Sequence, residues 1–516
     1  MQSPNQEIRS AREYHERTMH SPHSVRTSGH VLDWDIKPLP FKIYPDLPAI
    51  PLPRDFPPPA ADTVAALSGA SAKSSPLVLE QLAALLFFSA GVTKTMKYPS
   101  GVEVHFRAAP STGALYQTEV YVVAGDVAGL AAGVYHFCPG DFALRCLREG
   151  DFRGAVALAA ADEPVAARPA TLILSAIYWR NTWKYEARGY RHLFWDSGTL
   201  LSHLLASATA LGCPARLVTG FVDGEVNAIL GLDAAREGAL ALVPLGGEGR
   251  PAPPPPVIST LDARVVPLSS SEVEYPLLVQ AYADSTLDDE AEVLDWRERA
   301  GTLGGAVAAP SADLIPLRPP RVTAGRALGE TIQSRGSTRE FSGESISAAE
   351  LSTALFLGTR GVAADMPSGV VDLYLTIHAV DGIAPGAYVY HPAPHALESL
   401  GTGDVRAAAA SLCLDQALGG DSAVTVFFVA DVERILASAG NRGYRVANLE
   451  AGIIGGRLYL GAYAQHFGAT GLTFYDREVV QFFSPHARGK DAIFVTALGR
   501  SVKRAQRTAV PLRPAR

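Results

Sequence analysis

Apolar positions recur along the chain in two rhythms, one helical and one of alternating residues, and the order in which these rhythms follow one another predicts the fold. The stretch LVLEQLAALLFFS (77–89) carries apolar residues at helical spacing, whereas EVYVVAG (119–125), GVYHF (133–137) and TLILSAIYW (171–179) read as strands. Residues 195–211 read as a long core helix and ALALVPLG (239–246) as a closing strand. Further along, helices are expected over 324–335, 347–357 and 446–466, with strands over 371–380, 386–391, 423–430 and 492–498. Helices mixed with antiparallel-looking strands place the chain in the α+β class.

The second series repeats the first. RGYRHLFWDSGTLLSHLLASATALG from Arg188 and RGYRVANLEAGIIGGRLYLGAYAQHFG from Arg442 are offset by 442 − 188 = 254. Tyr121, Gly133, Tyr135, Pro139, Gly150, Asp151 and Arg153 stand opposite Tyr374, Gly386, Tyr388, Pro392, Gly403, Asp404 and Arg406 at 253. Asp223, Glu225 and Gly246 face Asp476, Glu478 and Gly499 at the same offset. A match of this length is a duplicated domain rather than a solenoid unit. The expected organisation is an extended N-terminal arm (1–59), a first copy (60–250), a linker (251–310), a second copy (311–505) and a tail (506–516). Prolines crowd the arm from 30 to 59, with Trp34, Phe41, Tyr44 and Phe56 between them for packing along a domain surface. The linker opens as RPAPPPPVIST, a semi-rigid spacer, and its acidic run DDEAEVLDWRERA (288–300) is expected as a surface helix.

Composition narrows the function classes. A hydrophobic fraction of 47%, a charged fraction of 19% and a net charge of −7 describe a globular chain without the basic field that nucleic acid requires. Cys138, Cys146, Cys213 and Cys413 have neither zinc nor CxxC spacing and read as reduced core thiols. The histidines show no HxH or HExxH spacing, so no metal site is expected. The polar N-terminus and the shortness of every apolar run, against the ~20 residues a bilayer needs, predict a soluble cytoplasmic protein with no membrane partner.

Three stretches carry candidate chemistry. In SRGSTREF, Arg335, Ser337 and Arg339 place two guanidiniums and a hydroxyl within five residues, which suits a phosphate dianion, although such a run also ends many solvated helices. The first copy has SGASAKSSPLVLEQL (68–82) there, with Lys73 and no arginine. The reverse loss follows: PSTGALYQTEVY (110–121) faces PSGVVDLY (367–374), which lacks the Gly-Ala-Leu-Tyr stretch. Read alone, Pro-Ser-Thr-Gly is a turn. Third, WKYEARGYR (183–191) contains Lys184 and Tyr185, absent from SAGNRGYR (438–445). An adjacent ammonium favours phenolate and is expected to lower the Tyr185 pKa, making an acid/base device; the bland reading is a surface lysine beside a half-buried tyrosine. Arg188 and Arg191 read as structural, with Asp196 or Glu186 as partners, while Asp126, Asp223 and Asp476 read as turn residues. GIIGG (452–456) sits inside a helix and reads as close helix packing, not as a dinucleotide fingerprint.

Taken together, YHERTMHSPHSVR (14–26), LDWDIKPLPFKIY (32–44), FRAAPSTGALYQTEVYVV (106–123) and FGATGLTFYDREVVQFF (467–483) resemble the nitroreductase-like flavoproteins. The last block departs from the family pattern at Phe467, where leucine is usual. Within that superfamily the chain is similar to the SagB-type dehydrogenases, which include the thiazole and oxazole oxidases of peptide natural-product pathways. The resemblance covers essentially the whole chain apart from 250–310 and implies two fused FMN-binding domains forming an intramolecular pseudo-dimer, with flavin at the interface. It implies that the Arg335, Ser337 and Arg339 block grips the FMN phosphate and ribityl chain, joined by Gly471, Leu472, Arg500 and Lys503. From the first copy it implies Arg107, Pro110, Ser111, Gly113 and Tyr116 around the flavin, so that one FMN binds per chain and the mirror site is lost. In the azoline-oxidising branch the Lys-Tyr pair is catalytic, which assigns Lys184 and Tyr185. The implied activity is FMN-dependent oxidation of an azoline to an azole, or a related two-hydrogen removal, with dioxygen as acceptor. The substrate is then a small or peptide-derived molecule carried by a biosynthetic partner protein. The same fold also serves NAD(P)H-dependent nitro- and quinone reductases, and a degenerate pair can serve as a flavin-free peptide scaffold. Substrate identity, electron acceptor and association beyond the pseudo-dimer stay open at the level of sequence.

Overall fold

The structure, a computed structural model, describes residues 3–69, 76–97, 103–303, 313–502 and 510–511. Each copy builds an antiparallel sheet with helices packed on it. In the first, the strand order is Ile50–Pro51, Ala143–Glu149, Gly133–Cys138, Thr118–Ala124, Ala170–Ile177 and Glu237–Leu245. In the second it is Leu314–Pro316, Ala396–Thr402, Gly386–His391, Asp372–Ile377, Val424–Ala430, Asp491–Gly499 and Gly468–Gly471. The five inner strands of one sheet thus have counterparts in the other. The α+β expectation holds, and two inner strands absent from the sequence reading, Ala143–Glu149 and Ala396–Thr402, pair with neighbours in equivalent registers. Both have polar residues on one face, which dilutes the apolar alternation.

Two central helices, Gly189–Ala210 and Val432–Ala464, cross at the interface of the copies and are buried along nearly their whole length. Both reach further towards the N-terminus than the expected 195–211 and 446–466. In the second copy, one continuous assignment spans a break at Gly440, whose φ of 64° and close approach to Asn5 only glycine accommodates. A Cβ on Gly198 would fall 2.5 Å from the Leu449 carbonyl oxygen, and one on Gly452 2.4 Å from that of Trp195. GIIGG is therefore a helix-packing motif, with no strand-turn-helix around it.

Buried ion pairs fix the pseudo-twofold. Arg188 and Arg191 of the first copy bind Asp476 of the second at 2.9 and 2.6 Å, and Arg442 and Arg445 of the second bind Asp223 of the first at 2.6 and 2.7 Å. This corrects two expectations: the arginines are structural, but their partners are neither Asp196 nor Glu186, and Asp223 and Asp476 are not exposed turn residues. The two aspartates open the short helices Asp223–Leu230 and Asp476–Phe482, where the positive helix ends favour carboxylate. Asp126 does lie in a turn, paired with Arg250 at 2.6 Å.

The repeat extends into segments that read as arm and linker. The helix pair Arg9–Arg17 and Pro22–Thr27 and the pair Pro276–Ala283 and Glu290–Gly301 make matching contacts at an offset of 267. Arg191 donates to the His15 carbonyl and Arg445 to that of Tyr282, both at 2.7 Å. The His20 amide donates to Asp476 and the Leu287 amide to Asp223, at 2.8 and 3.0 Å. The arm is extended only beyond residue 28, and the acidic surface helix is amphipathic: its outer face is exposed, while Val293, Trp296 and Ala300 are buried in the common core. Cys138, Cys146, Cys213 and Cys413 form no disulfide. Among the described residues no helix is long and apolar enough to cross a membrane.

Candidate active site

The two clusters singled out in the sequence meet across the interface. Arg335 ends the helix Leu328–Ser334 and reaches into the first copy, where its Nε donates to the Ala108 carbonyl at 2.8 Å and its Nη2 to that of Arg107 at 3.1 Å. No carboxylate pairs with it among the described residues, and burial holds its pKa below the ordinary arginine value. Beside it the Tyr459 hydroxyl lies 3.3 Å from Ser337 Oγ and accepts from the Gly471 amide at 2.6 Å. Gly471 is exposed, and a Cβ there would find nothing closer than 3.6 Å. Leu472 follows it into the core. Arg339 is exposed and faces Lys184 and Tyr185 of the first copy closely enough to perturb both.

From the other side, Asp196 on the first central helix gathers the Pro-Ser-Thr-Gly loop. Its carboxylate accepts from Ser111 Oγ at 2.5 Å, from the Thr112 amide at 2.8 Å, from Thr112 Oγ1 at 2.7 Å and from Gln117 Nε2 at 2.7 Å. Thr199 Oγ1 adds a bond to the Pro110 carbonyl at 2.7 Å. Gly113 takes a φ of 63° and is pressed against Tyr185, whose hydroxyl lies 2.9 Å from where a Cβ would sit. Despite its hydrogen bonds, burial pushes the Asp196 carboxyl up to about 6. A small cavity of about 20 Å³ lies between Ala90, Pro110, Tyr116, Asp196 and Leu200.

Two assignments need revision. The Arg107 guanidinium turns away from Arg335: it donates to the Pro40 carbonyl of the arm at 2.7 Å, lies over the Phe41 and Tyr116 rings, and is pushed down to about 10 by burial. Only its backbone borders the groove, as does Tyr116, whose hydroxyl accepts from the Arg107 amide. Arg500 donates to both oxygens of Glu350 at 2.9 Å, so its charge is neutralised within the second copy. Lys503 lies outside the described residues, as does Lys73.

The expected pKa of Tyr185 is also reversed. Lys184 Nζ sits over the Tyr185 ring at 5.4 Å. Burial and the charge of Asp196 raise the Tyr185 pKa, and Arg339 offsets this only in part. The group with the loosened proton is Lys184, lowered by burial and by the neighbouring cations Arg339 and Lys37. The His192 ring meets Tyr185 edge-on at 4.5 Å, and burial keeps it neutral.

The mirror groove is filled. Between its arginine and proline the second copy has four more residues than the first (367 − 360 against 110 − 107), and four fewer between proline and the matched tyrosine (374 − 367 against 121 − 110). The additional residues fold inward, where the Asp365 carboxylate accepts from the Thr219 and Gly220 amides at 2.7 and 2.9 Å. These two residues stand opposite Leu472 and Thr473 at 253. Over them lies Trp296, fully buried, donating to the Ala439 carbonyl at 3.0 Å, and Arg297 pairs with Asp365 at 3.1 Å. Sequence reasoning missed Asp196, Tyr459 and Asp365. Only Asp196 left a signal: at 254 it faces Glu450, which holds the Val370 amide at 2.9 Å in the same manner.

A cationic Arg335 without an anion among the described residues, beside an exposed glycine backbone, fits the phosphate of a flavin mononucleotide. Comparison with known proteins identifies the family. Residues 72–247 and 332–498 each match the Nitroreductase family, and the chain belongs to that family with two domains in tandem. A protein of Methanocaldococcus jannaschii carrying a nitroreductase name is 34% identical over 174 residues, 34% of this chain and 82% of its own length. The trifolitoxin-processing protein TfxB of Rhizobium leguminosarum is 28% identical over 176 residues, 32% of this chain and 46% of that protein. The microcin B17-processing protein McbC of Escherichia coli is 29% identical over 136 residues, 25% of this chain and 49% of that protein. The match thus spans about half the length of these two processing proteins. A crystal structure from Anabaena variabilis, also carrying a nitroreductase name, superposes with a TM-score of 0.77 at 27% identity, covering 96% of this chain and 99% of that one.

Proposed function

We propose that this chain is an FMN-dependent dehydrogenase or oxidase of the SagB type, acting in the cytoplasm on an azoline ring of a natural-product precursor and converting it to an azole. The observation that carries the reading is the single composite groove. Arg335, Ser337, Arg339 and Gly471 of one copy face the Pro110–Tyr116 loop and the Lys184–Tyr185 pair of the other, while Asp365 fills the mirror position. The processing proteins of trifolitoxin and microcin B17 among the relatives favour a peptide-derived substrate, presented by a partner protein.

When bound, FMN supplies the acceptor for an electron pair and one hydrogen, and dioxygen serves as the final acceptor. Arg335 would hold the phosphate, and the loop gathered by Asp196 would border the ring. Neutral Lys184 takes the substrate proton at Nζ. Tyr185 remains protonated and donates a hydrogen bond towards the substrate. The nitroreductase names among the relatives favour a second reading, an NAD(P)H-dependent reductase. The purified protein should be yellow, should carry about one FMN per chain and should oxidise a thiazoline or oxazoline peptide in air. Rapid anaerobic bleaching by NAD(P)H, with no azoline turnover, would replace this reading by the reductase.

A further inference from the structure

Beside Lys184 the arm adds a surface that neither the flavin groove nor the core uses. The Asp33 carbonyl accepts from Trp183 Nε1 at 2.7 Å, which pins the turn Trp34–Ile36 against the first copy. Trp34 meets Trp183 edge-on at 5.2 Å yet remains 65% exposed, an unusual state for the largest apolar side chain. Lys37 Nζ stands 5.4 Å from the Trp34 ring and 5.9 Å from that of Trp183. Leu115, Trp179, Trp183 and Leu268, with Ile36 and Tyr185 packed on them, form a small apolar cluster beneath. In the second copy the positions of Trp183, Lys184 and Tyr185 hold Ala437, Ser438 and Ala439, so this wall belongs to the live half alone.

The charges around it share one sign. Lys37 from the arm and Arg339 from the second copy each lie within electrostatic reach of Lys184 of the first. Among the described residues none of the three forms an ion pair. Of the nearby carboxylates, Asp33 accepts from the Asp35 amide at 3.0 Å. Asp35 and Glu186 are exposed, with no ion pair of their own. Lys37 and Arg339, without a carboxylate partner, disfavour the charged form of the lysine between them and favour a ligand that neutralises them.

We propose that Trp34 and Lys37 form the substrate-recognition edge of the site, selecting a ligand that stacks a flat ring on the indole and presents a carboxylate to Lys37. This deepens the azoline reading, since it specifies an acid beside the ring to be oxidised. Its test needs no turnover, so it stands or falls separately from that reading. The probes are 2-phenylthiazole-4-carboxylate and the corresponding carboxamide, with binding to the full-length holoprotein followed by quenching of tryptophan fluorescence and by perturbation of the flavin spectrum. The carboxylate should bind about ten-fold more tightly than the amide, as one charge-assisted contact provides. Lys37→Met should erase that difference, Lys37→Arg should keep it, and Trp34→Ala should weaken both probes with the circular dichroism unchanged. Equal affinities for the two probes in the native protein, or a preference that survives Lys37→Met, would overturn the proposal.

Discussion

The division of labour between Lys184 and Tyr185 gives the sharpest test. If Lys184 is the base, its neutral form is active, so kcat rises with pH through a limb set by a lysine held below its ordinary value by burial, Arg339 and Lys37. Lys184→Ala should remove this limb and lower kcat about 10²- to 10⁴-fold, the usual worth of general base assistance, or roughly 3–5 kcal/mol of barrier. Tyr185, kept protonated by burial and by Asp196, loses only a hydrogen bond on conversion to Phe. That is worth about 0.5–1.5 kcal/mol, or roughly two- to ten-fold in kcat, with the limb unmoved. Lys37→Met removes a neighbouring cation, so the Lys184 pKa should rise and the limb should move to higher pH. The assay is steady-state azoline oxidation from pH 6 to 10 under saturating dioxygen, with FMN content checked for each variant. Loss of the limb in Tyr185→Phe, with Lys184→Ala close to normal, would refute the assignment and return the proton to the phenol.

Arg335→Ala should weaken FMN binding about ten- to a hundred-fold, from roughly 1.5–3 kcal/mol of charge-assisted contact, as measured by fluorescence titration of the apoprotein. Asp365→Ala, in the filled half, should leave the stoichiometry near one FMN per chain, and a rise to two would contradict the single-site reading. Glu450 is buried and pushed up to about 7 from 4.5, so the folded state takes up a proton that the unfolded chain releases, and stability falls as pH rises through that window. Glu450→Gln should therefore raise the melting temperature at pH 8, by up to about 3 kcal/mol of stability, and change little at pH 4.5; no gain at pH 8 would mean that the backbone bonds to the charged form dominate. Asp223→Ala leaves Arg442 and Arg445 buried without an anion and should destabilise the protein by about 3–5 kcal/mol in denaturant unfolding.

Much of this arrangement was legible because it is written in side chains. The sheets announced themselves through Val, Ile and Tyr alternation, and the duplication through the repeated Arg-Gly-Tyr-Arg, since both arginines of each motif pair with an aspartate across the interface. The equivalence of the two outlying helix pairs was not legible, for a physical reason. Their matching contacts run through the backbone carbonyls of His15 and Tyr282 and the amides of His20 and Leu287, which any residue can supply. The Tyr185 pKa was misjudged because adjacency in sequence suggested an ammonium beside the hydroxyl. In the structure the ammonium lies over the ring, and the hydroxyl is left with Asp196 and a dry wall. The resemblance implied Arg107 and Arg500 at the flavin, but the first guanidinium is taken up by the arm and the second by Glu350.

The pattern of retained and altered positions argues for what fusion made available. In a symmetric homodimer each substitution enters both sites at once, so a residue that favours substrate at one must be tolerated at the other. Joined in one chain, the halves are free to differ, and here they differ only by location. Residues that hold the interface persist in both copies: Arg188 with Arg442, Arg191 with Arg445, and Asp223 with Asp476. So do the acids that anchor the loops, Asp196 and Glu450. Asn181, Lys184, Tyr185, His192 and Trp195 correspond at an offset of 254 to Ile435, Ser438, Ala439, Val446 and Leu449 of the second copy. The second set is apolar or small, as befits a groove closed by Asp365 and Trp296. On the single-site reading the second copy acts as a buttress: it holds Arg335 against the first copy at fixed geometry, where a separate subunit would do so only at the concentration of its partner.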